Sequence, residues 1–210
     1  YKIIEAIKDA ISKKVRCATI LSGGFSESGS EGNDLEKHIF KIAKKGDLRI
    51  LGPNSIGLIN ISDNVILSAN AMLELQDLKK GSLAVISHSG SLIGALLAHG
   101  HSRGIGFSKL ISVGNESDLS IGEIGEMLVE DPKTETIILF LETIRNSYEV
   151  AEMSRMAHAA GKQIICYKLG RSELGKELAK SHTGAIAGND DAFNAFINYH
   201  GIARVEIFET

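Results

Sequence analysis

Short β-branched runs alternate with helix-period segments along nearly the whole chain, and a chain so patterned folds into a largely parallel sheet with helices on both faces. Strand signals fall near Ala18–Ser22, Arg49–Leu51, Leu83–Ser87, Ser108–Val113, Thr136–Leu141, Gln163–Lys168 and Arg204–Phe208. The helical period predicts helices near Tyr1–Lys14, Asp34–Lys45, Ser91–Arg103, Ile121–Glu130, Tyr148–Ala160 and Asp190–His200. In the last, Ala192, Phe193, Phe196 and Ile197 recur at helical spacing among polar residues. The expected class is α/β.

The rhythm breaks between Ile61 and Lys80, ending in the polar run Gln76-Asp77-Leu78-Lys79-Lys80-Gly81, so a domain boundary is expected there. Residues 1–75 hold too few strands for a complete Rossmann-like unit and lack its opening strand and Gly-rich turn. They are expected to be the C-terminal part of a truncated one. Residues 81–210 supply enough strands and helices for a flavodoxin-like parallel-sheet domain. The total of 210 residues leaves room for a real core. A formal charge of −3 supplies no basic stripe to neutralise phosphates, which argues against nucleic acid as a partner. No apolar run approaches the ~20 residues that cross a bilayer, and the opening YKIIEAIKDAISKKV carries scattered charges that a signal peptide excludes. Cys17 and Cys166 each lie in an apolar run far apart, the pattern of buried thiols in a reducing cytoplasm. No metal-ligand spacing is present. A start at Tyr1 and not at Met is the start expected of a fragment or a processed product.

In doubly wound sheets ligands bind beyond the carboxyl ends of the strands. After the third strand comes Ser87-His88-Ser89-Gly90-Ser91, small hydroxyl residues and free backbone N–H groups at a positive helix end. That is an anion site in form, although an ordinary N-cap gives the same pattern. It is not a nucleophile elbow, which requires glycines where Ser87 and Ser91 stand. After the fourth strand, Gly114-Asn115 can approach a small anion or carboxylate. After the fifth, Glu142 closes an apolar run, either as the first polar residue of a loop or as a working carboxylate. Most unusual is Ala179-Lys180-Ser181-His182-Thr183-Gly184-Ala185, where small residues leave an imidazole unshielded. An ordinary surface-loop histidine is the competing reading. A neutral imidazole is a good nucleophile when a carboxylate holds its other N–H, and Glu142 is the candidate for that carboxylate. A phosphoryl group on His182 would then need an anion cradle, which the helix start at Ser89–Ser91 offers.

With these residues the chain resembles the α-type part of nucleoside-diphosphate-forming acyl-CoA synthetases, the group of succinyl-CoA synthetase and the ADP-forming acetyl-CoA synthetases. The markers are Gly23-Gly24-Phe25-Ser26-Glu27-Ser28-Gly29, Gly52-Pro53-Asn54-Ser55-Ile56-Gly57, Ser87-His88-Ser89-Gly90, Arg103-Gly104-Ile105-Gly106, Gly114-Asn115, Leu141-Glu142 and Ser181-His182-Thr183-Gly184-Ala185. The ordered set is specific where each motif alone is not. The resemblance implies a reversible sequence in which acyl-CoA and phosphate give an acyl phosphate, a histidine takes the phosphoryl group, and ADP or GDP receives it. It implies that His182 is the phosphorylated residue and Glu142 its partner, and that Ser87, Ser89, Gly90 and Ser91 hold phosphate. Gly52, Pro53, Asn54, Gly114 and Asn115 would belong to the CoA and acyl-phosphate neighbourhood. Residues 1–75 would be what remains of a CoA-binding domain and 81–210 the ligase domain. The family commonly has Gln or Arg where His88 stands, and a small polar residue where Leu169 stands. An ATP-grasp module, which would bring ADP or ATP and Mg2+, has no counterpart here, so it is expected in the same longer polypeptide or in a β-type subunit of an oligomer. The alternative is a non-catalytic CoA- or acyl-CoA-sensing domain of a larger protein such as an acyltransferase, against which retention of both Glu142 and His182 argues.

Overall fold

The computed structural model describes residues 2–70, 78–170 and 190–206. The chain runs α1 (Lys2–Ser12), β1 (Cys17–Thr19), a 3-10 turn (Ser26–Ser28), α2 (Ser30–Lys45), β2 (Arg49–Leu51), β3 (Gly57–Asn60) and β4 (Val65–Ser68). It continues through β5 (Lys80–Ser87), α3 (Gly90–Arg103), β6 (Phe107–Ser112), α4 (Ile121–Glu130), β7 (Thr136–Leu141), α5 (Ser147–Ala159), β8 (Gln163–Lys168), α6 (Asp190–Tyr199) and β9 (Ala203–Val205). Three strand expectations, at β2, β7 and β8, agree with the structure to the residue.

Among the described residues the strands form two sheets. β1 and β2 pair in parallel, and seven strands make the larger sheet in the order β4-β3-β6-β5-β7-β8-β9. From β6 to β9 the ladder is parallel, while β3 and β4 run antiparallel at one edge. That hairpin is the element the sequence hid. Its turn is tied by Asn60 and Asp63, whose side chains and backbone exchange two hydrogen bonds of 3.1 Å, and Asn64 takes a left-handed conformation. β4 is short and apolar, and its Val65, Ile66 and Leu67 are 44%, 47% and 56% exposed.

Alternation along the central strands divides the core. Ala84 and Ile86 of β5 join Ile137, Leu139 and Leu141 of β7 beneath α4, α5 and α6, where Ile124, Leu128, Met153 and Ile197 meet them. Val85 faces the other way, toward Ile93 and Leu97 of α3. One face of the smaller sheet packs through Ile50, with Ile20 and Leu48 beside it, on Ile7, Ile39 and Ala43 of α1 and α2, while Leu51 faces the other way and joins the core of the larger sheet. This corrects the expectation for Cys17, which is exposed: in a strand of three residues it has the opposite parity to Ala18, which faces the helices. Cys166 is buried as expected, and burial pushes its thiol up to about 12.

α4 and α5 approach through Gly122 and Gly125, where added Cβ atoms would lie 2.4 Å from Glu149 Cβ and 1.9 Å from Met153 Sδ. The Met153 side chain can yield. Glu149 cannot without moving α5, because its carbonyl carbon stands 2.7 Å from the same point above Gly122. Gly122→Ala is therefore expected to destabilise the fold by about 1–3 kcal/mol through overpacking, read as a lower urea midpoint with an unchanged slope.

Candidate functional site

Because β5, β6 and β7 are parallel and in register, with Ser87 opposite Ser112 and Phe140, their carboxyl ends open on one edge of the sheet. A cavity of about 340 Å3 lies there, lined by Asn54, His88, Ser89, Gly90, Ser91 and Glu142, with Leu21, Ile56 and Ala69 as its apolar walls. A larger groove of about 820 Å3 lies elsewhere, between the open face of β1–β2 and the β3–β6 face. Its walls are mainly aliphatic side chains such as Leu58, Ile111 and Leu128, and it lacks the convergent hydroxyls and helix end of the smaller cavity. The smaller one gathers the residues expected from the sequence at the strand ends.

The turn entering α3 is shaped by Ser87. Its buried hydroxyl accepts the Ser89 N–H at 3.0 Å and donates to the Ser89 carbonyl at 2.8 Å, so Ser87 supports the cavity floor and does not line it. Ser89 occupies the N-cap of α3 without a side-chain cap bond. The contrast with α4 and α5 is informative, since Ser120 and Asn146 there accept the N–H groups of Glu123 and Glu149. The positive end of α3 is thus left to whatever enters the cavity. Gly90 is required by packing, since a Cβ would stand 2.9 Å from Ile56 Cβ. Glu142 follows β7 and is half-buried, and its carboxylate has no hydrogen-bond or ion-pair partner among the described residues. His182 lies outside the described residues.

The other expected site residues form a seam between the two sheets. The carbonyls of Ile50, Gly52 and Pro53 accept N–H groups from Leu119, Ser117 and Asn115 at 3.2, 3.3 and 2.9 Å. Asn54 donates to Asn115 Oδ1 at 3.3 Å, with its own backbone N–H on the Ser22 carbonyl at 3.0 Å. Gly114, at φ +56°, touches this seam so closely that a Cβ would sit 2.0 Å from the Pro53 carbonyl oxygen. Arg49 reinforces it. The guanidinium meets both oxygens of Glu123 at 2.7 Å and of Asp118 at 3.1 Å, and those bonds, Glu123's first, raise its proton affinity.

Several contributors escaped the sequence reading. Ser55 donates to the Ser112 carbonyl at 2.7 Å and accepts the Gly57 N–H at 2.8 Å, fixing the cavity wall to β6. Asn115 Nδ2 lies 2.6 Å from Glu27 Oε2, 2.9 Å from Glu36 Oε2 and 3.0 Å from Ser26 Oγ. Burial alone would raise the Glu27 carboxyl, but the bonds from Asn115, Phe25 and Gly24 outweigh it and hold it below the usual range. Glu27 sits in a Gly-flanked motif that the sequence marked without giving the carboxylate a role; Glu36, inside a helix, offers no such signal. Among the described residues no group of three or more His, Cys, Asp or Glu side chains is placed to hold a metal, and no helix is long and apolar enough to cross a membrane.

Residues 80–210 match the family model of the succinyl-CoA ligase like flavodoxin domain. ADP-forming acetate–CoA ligase II of Archaeoglobus fulgidus is 34% identical over 98% of this chain, which covers 30% of that protein. The alpha subunit of ADP-forming acetate–CoA ligase I of Pyrococcus furiosus is 34% identical over 95% of this chain, which covers 42% of it. The solved structure of the dinucleotide-forming acetyl-coenzyme A synthetase 1 of Candidatus Korarchaeum cryptofilum, in complex with phosphate and ADP, superposes with a TM-score of 0.89 at 31% identity. That match takes in 99% of this chain and 44% of that one. The chain spans less than half the length of each of these relatives.

Two outcomes test the seam. Gly114→Ala meets both a left-handed backbone and the Pro53 carbonyl, so a loss of about 2 kcal/mol or more is expected by chemical denaturation. The lowered Glu27 carboxyl contributes stability that is present above the ordinary carboxylate range and lost as pH falls through its lower folded value. The stability gap between wild type and Glu27→Gln, followed by urea titration at successive pH values, is therefore expected to shrink on acidification.

Proposed function

The chain belongs to the family of succinyl-CoA ligase like flavodoxin domains, and on that premise we propose that it is a portion of an NDP-forming acyl-CoA synthetase, an acid–thiol ligase. The observation that carries this reading is the cavity itself, lined both by a helix start with no side-chain cap bond and by Glu142, whose carboxylate has no partner among the described residues. A CoA-sensing role gives that carboxylate no task. Residues 1–75 are read as the C-terminal part of a CoA-binding domain and 81–210 as the ligase domain. The family match from residue 80 supports the second boundary, although β3 and β4 lend their hydrogen bonds to the second unit's sheet.

In this reading a phosphate oxygen attacks the thioester carbonyl of acyl-CoA, the C–S bond breaks, and CoA leaves as thiolate to take a proton. An imidazole nitrogen of His182 then attacks phosphorus, and the P–O bond to the acyl group breaks to release a carboxylate. Glu142 holds the other ring N–H of His182, keeping the attacking nitrogen unprotonated and supporting the charge that develops as the N–P bond forms. The α3 N–H groups at Gly90 and Ser91, with the Ser89 hydroxyl, hold the phosphate oxygens, and the helix end contributes about 1–2 kcal/mol in a partly buried site. Gly52, Pro53, Asn54, Gly114 and Asn115 shape the wall toward CoA, where the seam brings the backbone close. ADP or GDP, as the final acceptor, and Mg2+ are held by an ATP-grasp module in a longer polypeptide or in a partner subunit of an oligomer in the cytoplasm. The name of the Pyrococcus furiosus relative, a separate alpha subunit, supports such a division.

The test is phosphorylation of the complete protein with γ-labelled ATP. An acid-labile, base-stable adduct is expected, lost in His182→Ala and formed about a hundredfold more slowly in Glu142→Ala with an unchanged circular dichroism spectrum. An unlabelled wild type would overturn the reading, and undiminished labelling of the Glu142 variant would remove that residue from the mechanism.

A further inference from the structure

An imidazole, that of His88, also lines the cavity, and its surroundings assign it a task. The His88 side chain is only 2% exposed, and both ring nitrogens are committed. Nδ1 lies 3.1 Å from the backbone nitrogen of Glu142. A backbone N–H can only donate, so Nδ1 is the acceptor and the ring hydrogen sits on Nε2. That N–H points at Glu116 Oε2, 3.1 Å away. The other Glu116 oxygen accepts the Ile121 N–H at the start of α4, at 2.8 Å. The ring thus spans from the loop after β6 to Glu142, the first residue after β7, and the His88 backbone N–H donates to the Phe140 carbonyl at 3.1 Å.

We propose that His88 is a positioning residue for Glu142, and that it works only as the neutral Nε2–H tautomer. The proposal rests on the reading of Glu142 as the working carboxylate. With Nδ1 accepting and Nε2 donating, neither nitrogen has a lone pair free to attack phosphorus, so His88 is not a second phosphoryl acceptor. Protonation would set an Nδ1–H against the Glu142 N–H, donor against donor, and release the backbone that aims the carboxylate. The charged groups facing the ring are Glu116, from the loop after β6, Arg145, from the loop after β7, whose Nε stands 3.5 Å from the same Glu116 oxygen, and Glu142 itself. Gln is the informative replacement. Its amide presents one acceptor and one donor flanking a single carbon, as the ring nitrogens flank Cε1.

In the complete protein, His88→Leu is expected to slow histidine labelling by about tenfold or more with KM for ATP unchanged, the signature of a displaced catalytic group. His88→Gln is expected to stay within about threefold of wild type, because its amide can accept from the Glu142 N–H and donate to Glu116 as the ring does. A Leu variant as fast as wild type, or a Gln variant as slow as the Leu variant, would overturn the proposal. Amide exchange at Glu142 gives a readout that needs no phosphoryl transfer: protection kept in the Gln variant and lost in the Leu variant supports it, and equal protection in Leu variant and wild type refutes it. Should the wild type take no label at all, the functional reading fails, and the exchange experiment still decides whether His88 holds the Glu142 backbone.

Discussion

The geometry of the site depends on a backbone seam. Residues 50–53 and 115–119 run past each other in opposite directions, exchanging hydrogen bonds from Asn115, Ser117 and Leu119 to Pro53, Gly52 and Ile50. Each of these is a main-chain contact, so side-chain variation does not remove it, and a buried carbonyl that lost its partner would cost about 1–3 kcal/mol. The seam converts a loop that would otherwise move freely after β6 into an extension of β2. Asn54 and Asn115 are brought face to face as a result, and the small sheet is held over the strand ends of the large one. Gly114 is the residue that permits the approach.

Charge is distributed around the cavity with the same economy. Glu27 and Glu36 are satisfied by Asn115, Ser26 and Ser117, Asp118 and Glu123 by Arg49, and Glu116 by His88 and the first N–H of α4. Each of these carboxylates has a structural task. Glu142 differs in lacking a described partner while its own backbone is held by His88. A fixed backbone beneath an uncommitted carboxylate is the arrangement expected where the side chain must meet an incoming group in one orientation.

The strands buried on both faces were legible in the sequence, and the reason is local. Thr136–Leu141 is an uninterrupted apolar or β-branched run, and in Gln163–Lys168 the apolar stretch Ile164–Tyr167 is bracketed by one polar residue at each end, so pattern and bounds coincide. The hairpin β3–β4 was not legible because its two strands have four residues each, one edge is exposed, and Gly57 and Asn64 read as loop punctuation. Cys17 was misjudged because an apolar neighbourhood in sequence says nothing of parity in a three-residue strand. In the site, the residues at strand ends could be found from the fold rule alone. Their partners could not, because Glu36 and Asn115 are 79 positions apart and His88 and Glu116 are 28 apart, and only folding brings such pairs together.

The outer margin of the large sheet has a practical side. β4 closes that sheet among the described residues with Val65, Ile66 and Leu67 turned to solvent, and no Lys, Arg or Pro interrupts the run. A bare ribbon of this kind offers its free amides and carbonyls to any strand that drifts by, including the same ribbon on a neighbouring molecule. Preparations of this segment at high concentration would self-associate edge to edge into fibrous or amorphous aggregates, and a single lysine at Ile66 would be the economical way to keep them clear.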